Sequence, residues 1–176
     1  MNHFRNLLCA VALLPAICIA QVQVLGFELG TSTQQHVKAK LGKKTEISNP
    51  ATNKFSGGLQ FTTSGAGYDI EGLSSVVYIF DKEQRLSAVL MEISKGRFDE
   101  IFNVLAGKYK LTRQQRPFVG NKFGGFKAEG VTIELDAPHL SFEMHVSYIR
   151  DDLYNRFRSQ SAQEALQQKD SERGKF

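Results

Sequence analysis

The chain carries one pattern twice, and that pattern limits what it can fold into. Residues Thr31 to Gly42 read as a short helix. Ser32 or Thr33 can cap its start, and Val37 and Leu41, four apart, share a face. Gly42 can end it in a left-handed conformation, and Lys43 to Ser48 looks extended. About 64 residues later the arrangement returns. Arg97 to Gly107 reads as a helix with Phe98, Ile101, Phe102 and Leu105 on one face, ended by Gly107 and followed by extended Lys108 to Arg113. At a constant offset Val37 falls on Ile101 and Leu41 on Leu105.

Hairpins follow each helix. In the first half Val76–Asp81 and Leu86–Ile93 flank a turn at 81–85. In the second half Val131–Asp136 and Leu140–Ile149 flank a turn at 137–139. These runs are rich in β-branched and aromatic residues and are bounded by turn formers. Leu59–Thr63 and Lys122–Lys127 supply a further strand each. A sheet of three or four strands has one apolar face and too little to cover it. The expected fold is therefore α+β: two tandem helix-plus-antiparallel-sheet repeats sharing one sheet, both helices on one face. The halves span about 26–93 and 94–149 within a 21–149 domain, and residues 150–176 form a C-terminal helix and frayed tail.

Strand alternation separates two faces. Leu140, Phe142, Met144 and Val146 point one way, as do Ile133 and Leu135. His139, Ser141, Glu143 and His145 point the other way with Thr132, Glu134 and Asp136. The first half is more apolar on both sides, as expected nearer the middle of the sheet or under a loop. Segments 49–58 and 64–75 read as loops. Asp151 or Asp152 can cap a helix holding Leu153, Tyr154 and Phe157, and the chain beyond Gln167 is polar enough to fray.

Residues 1–20 read as a secretory signal peptide. Arg5 precedes an apolar run from Leu7, and Cys18-Ile19-Ala20 is the small-x-small site before Gln21. The run of about 14 residues is short of the roughly 20 that cross a bilayer. Ile17 before Cys18 is too large for the lipoprotein peptidase pocket. Cleavage near Ala20–Gln21 removes both cysteines, so the mature chain has no thiolate chemistry and no cysteine metal site. The expected location is periplasmic or secreted, with no transmembrane segment in the mature chain. The net charge of +4, one less without Arg5, is spread along the chain and does not point to nucleic acid.

No nucleophile elbow, phosphate loop, dinucleotide fingerprint or His-Glu-x-x-His is present. His139, Glu143 and His145 share a strand face, but the two imidazoles stand about 20 Å apart on an extended chain, too far for one ion. Glu134, Asp136 and Glu143 share an open face with no cleft to shift a pKa. The expectation is no catalytic residue, no metal and no cofactor. What remains is a contact surface: Thr132, Glu134, Asp136, Ser141, Glu143 and His145 on the polar face, with Phe123, Phe126 and Tyr148 as aromatic anchors.

The stretch from Gly26 to Gly42, with its Ser/Thr-capped helix ending Val-x-x-x-Leu-Gly, resembles the opening of the SmpA/OmlA-type small outer-membrane assembly proteins. The duplicated helix-plus-sheet layout resembles the β-lactamase inhibitor protein fold. Two features of the first group are missing: a proline soon after Leu-Gly, where Lys43-Lys44-Thr45 stands, and a lipid-anchor cysteine. The resemblance implies a non-enzymatic module of the envelope-adaptor type that binds a protein partner in the cell envelope. Its alternative is a stand-alone inhibitor or immunity protein against a hydrolase, with a small hydrolase as the remaining option.

Overall fold

The computed structural model describes residues 22–175. The expected signal peptide, with Cys9, Cys18 and the expected Ala20–Gln21 cleavage site, lies outside the described residues. The fold is α+β. A two-stranded hairpin, β1 (Gln23–Val24) and β2 (Phe27–Glu28), leads into helix α1 (Gln34–Leu41). Four strands follow: β3 (Ile47–Thr52), β4 (Gly57–Ser64), β5 (Leu73–Asp81) and β6 (Leu86–Ser94). Helix α2 (Phe98–Lys108) then introduces β7 (Lys110–Gln115), β8 (Lys122–Ala128), β9 (Val131–Ala137) and β10 (Glu143–Arg150). Helix α3 (Asp151–Arg173) closes the chain.

All eight later strands form one antiparallel sheet in the order β3-β4-β5-β6-β10-β9-β8-β7. Each meander is made of adjacent hairpins, the shortest connections available. The last strand of one meander pairs with the last strand of the other, Met144 opposite Ile93 and Ile149 opposite Ala88.

One face of the sheet is the inner face. Phe61, Val76, Tyr78, Phe80, Val89, Ile133, Leu135 and Met144 point into it. Val37 and Leu41 of α1, Phe98, Phe102 and Leu105 of α2, and Phe27 of the hairpin cover it. A chain of hydroxyls satisfies the buried polar groups there. Thr63 Oγ1 lies 2.6 Å from Tyr68 OH, which lies 3.0 Å from Tyr78 OH. Burial pushes the Tyr78 phenol well up from its ordinary value.

Helix α3 lies on the opposite, outer face. Leu153 packs with Ile79 and Ala88 there, and Val77, Leu90, Ile149 and Phe55 join them. This is why the first half is apolar on both sides: the C-terminal helix is its cover.

The ends of elements differ from expectation in instructive ways. Thr33 caps α1, accepting from the His36 N–H, while the Ser32 hydroxyl is taken by the Glu28 N–H. Gly42 stays right-handed at φ −60°, and a turn separates it from β3. Residues 49–52, expected as loop, continue β3, an edge strand of the sheet. Pro50 fits there because an edge position does not require its missing N–H. Neither Asp151 nor Asp152 caps α3, which begins directly from β10 with Arg150 at the cap position. The helix continues to Arg173 instead of fraying after Gln167.

Gly107 does not end α2; the helix runs through it to Lys108. Open space surrounds the position where a Cβ would sit. Gly107→Ala should therefore stabilise the protein by about 0.5–1 kcal/mol, the backbone entropy that glycine loses in a helix. Urea unfolding midpoints measure it, and a destabilised variant would contradict this placement.

Candidate functional site at the loop end of the sheet

Antiparallel meanders return their turns to alternate ends. The β7–β8 loop (116–121) and the β9–β10 loop (138–142) therefore share one end, and β6 finishes there too, with Ser94 opposite Glu143. Lys95, just beyond β6, pins the β9–β10 loop. Its N–H donates to the Phe142 carbonyl at 2.9 Å. Its Nζ donates to the carbonyls of Pro138 and His139. The two loops are joined by the His139 N–H, which donates to Asn121 Oδ1 at 2.7 Å.

The β7–β8 loop is tied at both ends to Asp99 in the first turn of α2. Arg116 donates to Oδ1 at 2.8 Å and Lys122 to Oδ2 at 3.3 Å. The Arg116 guanidinium, helped by Lys122, holds the Asp99 carboxyl below the usual carboxylate range. A carboxylate at a helix N-terminus also suits the helix dipole.

These tethered loops carry Phe118, Val119, Leu140 and Phe142, all strongly exposed; Phe142 is 94% accessible. Single exposed apolar residues are ordinary. Four on two joined loops are not, because a held backbone keeps them in water with no route to the core. Leu140 and Phe142 correct an expectation. Their alternation puts both on the dry face of a strand from Leu140, but β10 begins only at Glu143.

The sequence-derived surface residues are divided by the structure. Thr132 is part of a structural tether: it accepts from Lys127 Nζ at 3.0 Å and donates to Asp151 Oδ1 at 2.8 Å, with Lys127 also on Asp151. Glu134 accepts from Tyr154 OH of α3 at 2.7 Å. Burial, then this bond, raises the Tyr154 pKa. Phe123 is half-buried, with the Arg113 guanidinium 5.1 Å above its ring. It shares a polar recess of about 170 Å³ with Thr132, Glu134, Tyr154 and Arg158.

Asp136 and His145 are exposed and face each other across β9 and β10, and Glu92 stands opposite His145 on β6. Ser141 Oγ accepts from the Glu143 N–H at 3.0 Å, shaping the turn into β10. Among the described residues no group of three or more His, Cys, Asp or Glu is placed to hold a metal ion.

Phe126 and Tyr148 are not surface anchors. Phe126 is 1% and Tyr148 9% exposed, both on the inner face. Phe126 packs against Phe102 with ring centroids 5.3 Å apart, and Tyr148 meets Tyr109 edge-on at 6.3 Å. Burial raises the Tyr148 pKa accordingly. Their strand parity places them under α2, not outside.

The chain matches no protein-family model, and comparison with curated proteins and with solved structures finds no match. No helix among the described residues is long and apolar enough to cross a membrane.

One more concavity lies on the outer face. Between α3 and the sheet runs an apolar groove of about 370 Å³, floored by Val77, Ile79, Ala88 and Leu90. Leu153 and Phe157 wall it from the helix, and Phe55 closes one end against Phe157, edge-on at 5.0 Å. Apolar residues on both sides of these strands fit the middle of a sheet or a place under a loop; the cover is instead a helix, and it leaves space.

Proposed function

We propose that this chain is a non-enzymatic protein-binding module of the cell envelope, exported by the signal peptide and acting as an adaptor. The observation that supports it is the loop end. Four large apolar side chains project from two loops: Lys95 and Asn121 hold the backbone of the β9–β10 loop, and Asp99 ties the side chains at both ends of the β7–β8 loop. Anchors already fixed in place lose little conformational freedom on binding, which favours affinity. The polar rim around them includes Ser141, Glu143 and His139. Asp136 and His145 extend it along the sheet.

The same reading treats 26–93 and 94–149 as two copies of one folding unit. The helix-then-meander order of each half and the meeting of β6 with β10 support that. It also keeps the resemblance to SmpA/OmlA-type assembly proteins and to the inhibitor layout. The pinned β9–β10 loop, which projects Leu140 and Phe142, suits the inhibitor alternative as well, since a held loop can plug a hydrolase cleft.

The test is capture. Immobilised mature chain is incubated with envelope extract and compared with the Phe118→Asp/Phe142→Asp variant. An anchor residue at an interface costs about 2 kcal/mol or more when truncated, roughly thirtyfold, so removing two should weaken retention of a partner by at least that much. Thermal stability should stay within about 0.5 kcal/mol of wild type, since neither side chain is packed. A captured hydrolase that loses activity selects the inhibitor form. Equal capture by both proteins removes the loop end from consideration.

A further inference from the structure

We infer that the groove beneath α3 is a binding site for a free single-chain amphiphile with an anionic head, of the medium-chain fatty acid class. Its volume of about 370 Å³ lies within the range of small-molecule sites. Its floor is aliphatic, from Val77, Ile79, Ala88 and Leu90. At its edge the Asn53 side chain is fully engaged, donating to Gln60 Oε1 at 2.7 Å and accepting from the Phe55 and Ser56 N–H groups. Apolar space of this kind holds water poorly and accepts hydrocarbon.

A cation at one end can meet an anionic head group. Lys54 lies in the chain between Asn53 and Phe55, two of the lining residues, with its Nζ 4.7 Å above the Phe55 ring. Its partner is Glu164 of α3 at 3.0 Å, and both side chains are more than half exposed. An exposed ion pair of this kind contributes little. An incoming carboxylate can take the place of Glu164 on Lys54 while its chain lies along the groove. Helix α3 can accommodate this, because Leu153 is its one buried residue.

The inference is independent of the loop-end reading. The experiment is calorimetric titration of the mature chain with octanoate, decanoate and dodecanoate below their micelle concentrations. Dodecyltrimethylammonium serves as the opposite charge, and phosphatidylglycerol vesicles as the membrane source. The expected result is saturable one-to-one binding that tightens by up to about fourfold per added methylene until the groove is full. Lys54→Ala should weaken dodecanoate by up to about fivefold and leave the cation unaffected. Ala88→Phe fills the groove and should abolish binding. Leu90→Glu puts a carboxylate on its half-exposed floor and should do the same; it decides the matter if Ala88→Phe does not fold, as read by circular dichroism.

Absence of saturable binding overturns the inference. So does equal affinity for the cationic amphiphile, wild-type binding by the folded groove variants, or binding to vesicles alone. Partner capture through the loops should be unchanged in both groove variants, so failure here is distinguishable from failure of the proposed function.

Discussion

Phe126→Ala should lower the unfolding free energy by about 3–5 kcal/mol, while any protein partner is still captured at temperatures where the variant remains folded. The ring is sealed on the inner face between β8, β9 and α2. Ile133 stands opposite it in register, and Phe102 packs on it. The strand is adapted to this contact. A Cβ at Gly124 would come 2.8 Å from the Phe102 ring, so glycine there lets the helix aromatic reach the sheet. Removing Phe126 leaves a hole bordered by rigid neighbours, and such holes collapse poorly. The loss is a large share of the roughly 5–15 kcal/mol that holds a domain together. Equilibrium urea unfolding measures it through the midpoint, at unchanged slope. A surface and a core placement of this residue predict opposite results. A surface anchor would lose capture and keep stability; a core residue loses stability and keeps capture. A loss under about 1 kcal/mol would return Phe126 to the surface.

Why the strand of Phe126 was ambiguous is a matter of spacing. Phe123 and Phe126 are three apart, so they fall on opposite faces of a strand, and Gly124-Gly125 between them carries no side chain to say which face is dry. Tyr148 is different. It has the parity of Met144 and Val146, so its alternation had already placed it inside; only its aromatic character suggested an anchor. Leu140 and Phe142 show the reverse difficulty. Their alternation with His139 and Ser141 continues into β10 without a break, and only Pro138 hints at the turn. What keeps them out of the sheet is long-range: Lys95, more than forty positions earlier in the chain, holds the carbonyls around them. The doubly apolar strands β5 and β6 fit the middle of a sheet or a place under a loop, and the cover they have is a helix. Nothing local tied that cover to Leu153 and Phe157, since the match exists only once β10 has led α3 back across the sheet. Hairpins were legible because their information is local. The loop end and the groove were not, because each is made by contacts between distant segments.

Gly58→Ala should destabilise the protein by about 3 kcal/mol, the upper end of what overpacking costs. A Cβ at this position would lie 2.2 Å from the Asp81 carbonyl oxygen and 2.3 Å from that of Phe80. These are backbone atoms of the neighbouring strand, so no side-chain rotation relieves the clash. Nor can the end of β5 retreat. Asp81 is tied into the β5–β6 turn by its N–H to the Arg85 carbonyl and by its Oδ1 from the Arg85 N–H. Relief must come from opening the irregular β4–β5 register between Gly57 and Gln60, close to the buried Phe61–Phe80 contact. Gly130→Ala is the matched control. That glycine has φ +68° but open space around it, so the substitution carries only the left-handed penalty of roughly 1–2 kcal/mol. Chemical unfolding of the two variants side by side separates crowding from backbone conformation. If Gly58→Ala costs no more than Gly130→Ala, β4 and β5 do not approach this closely and the glycine pair is only a flexible turn.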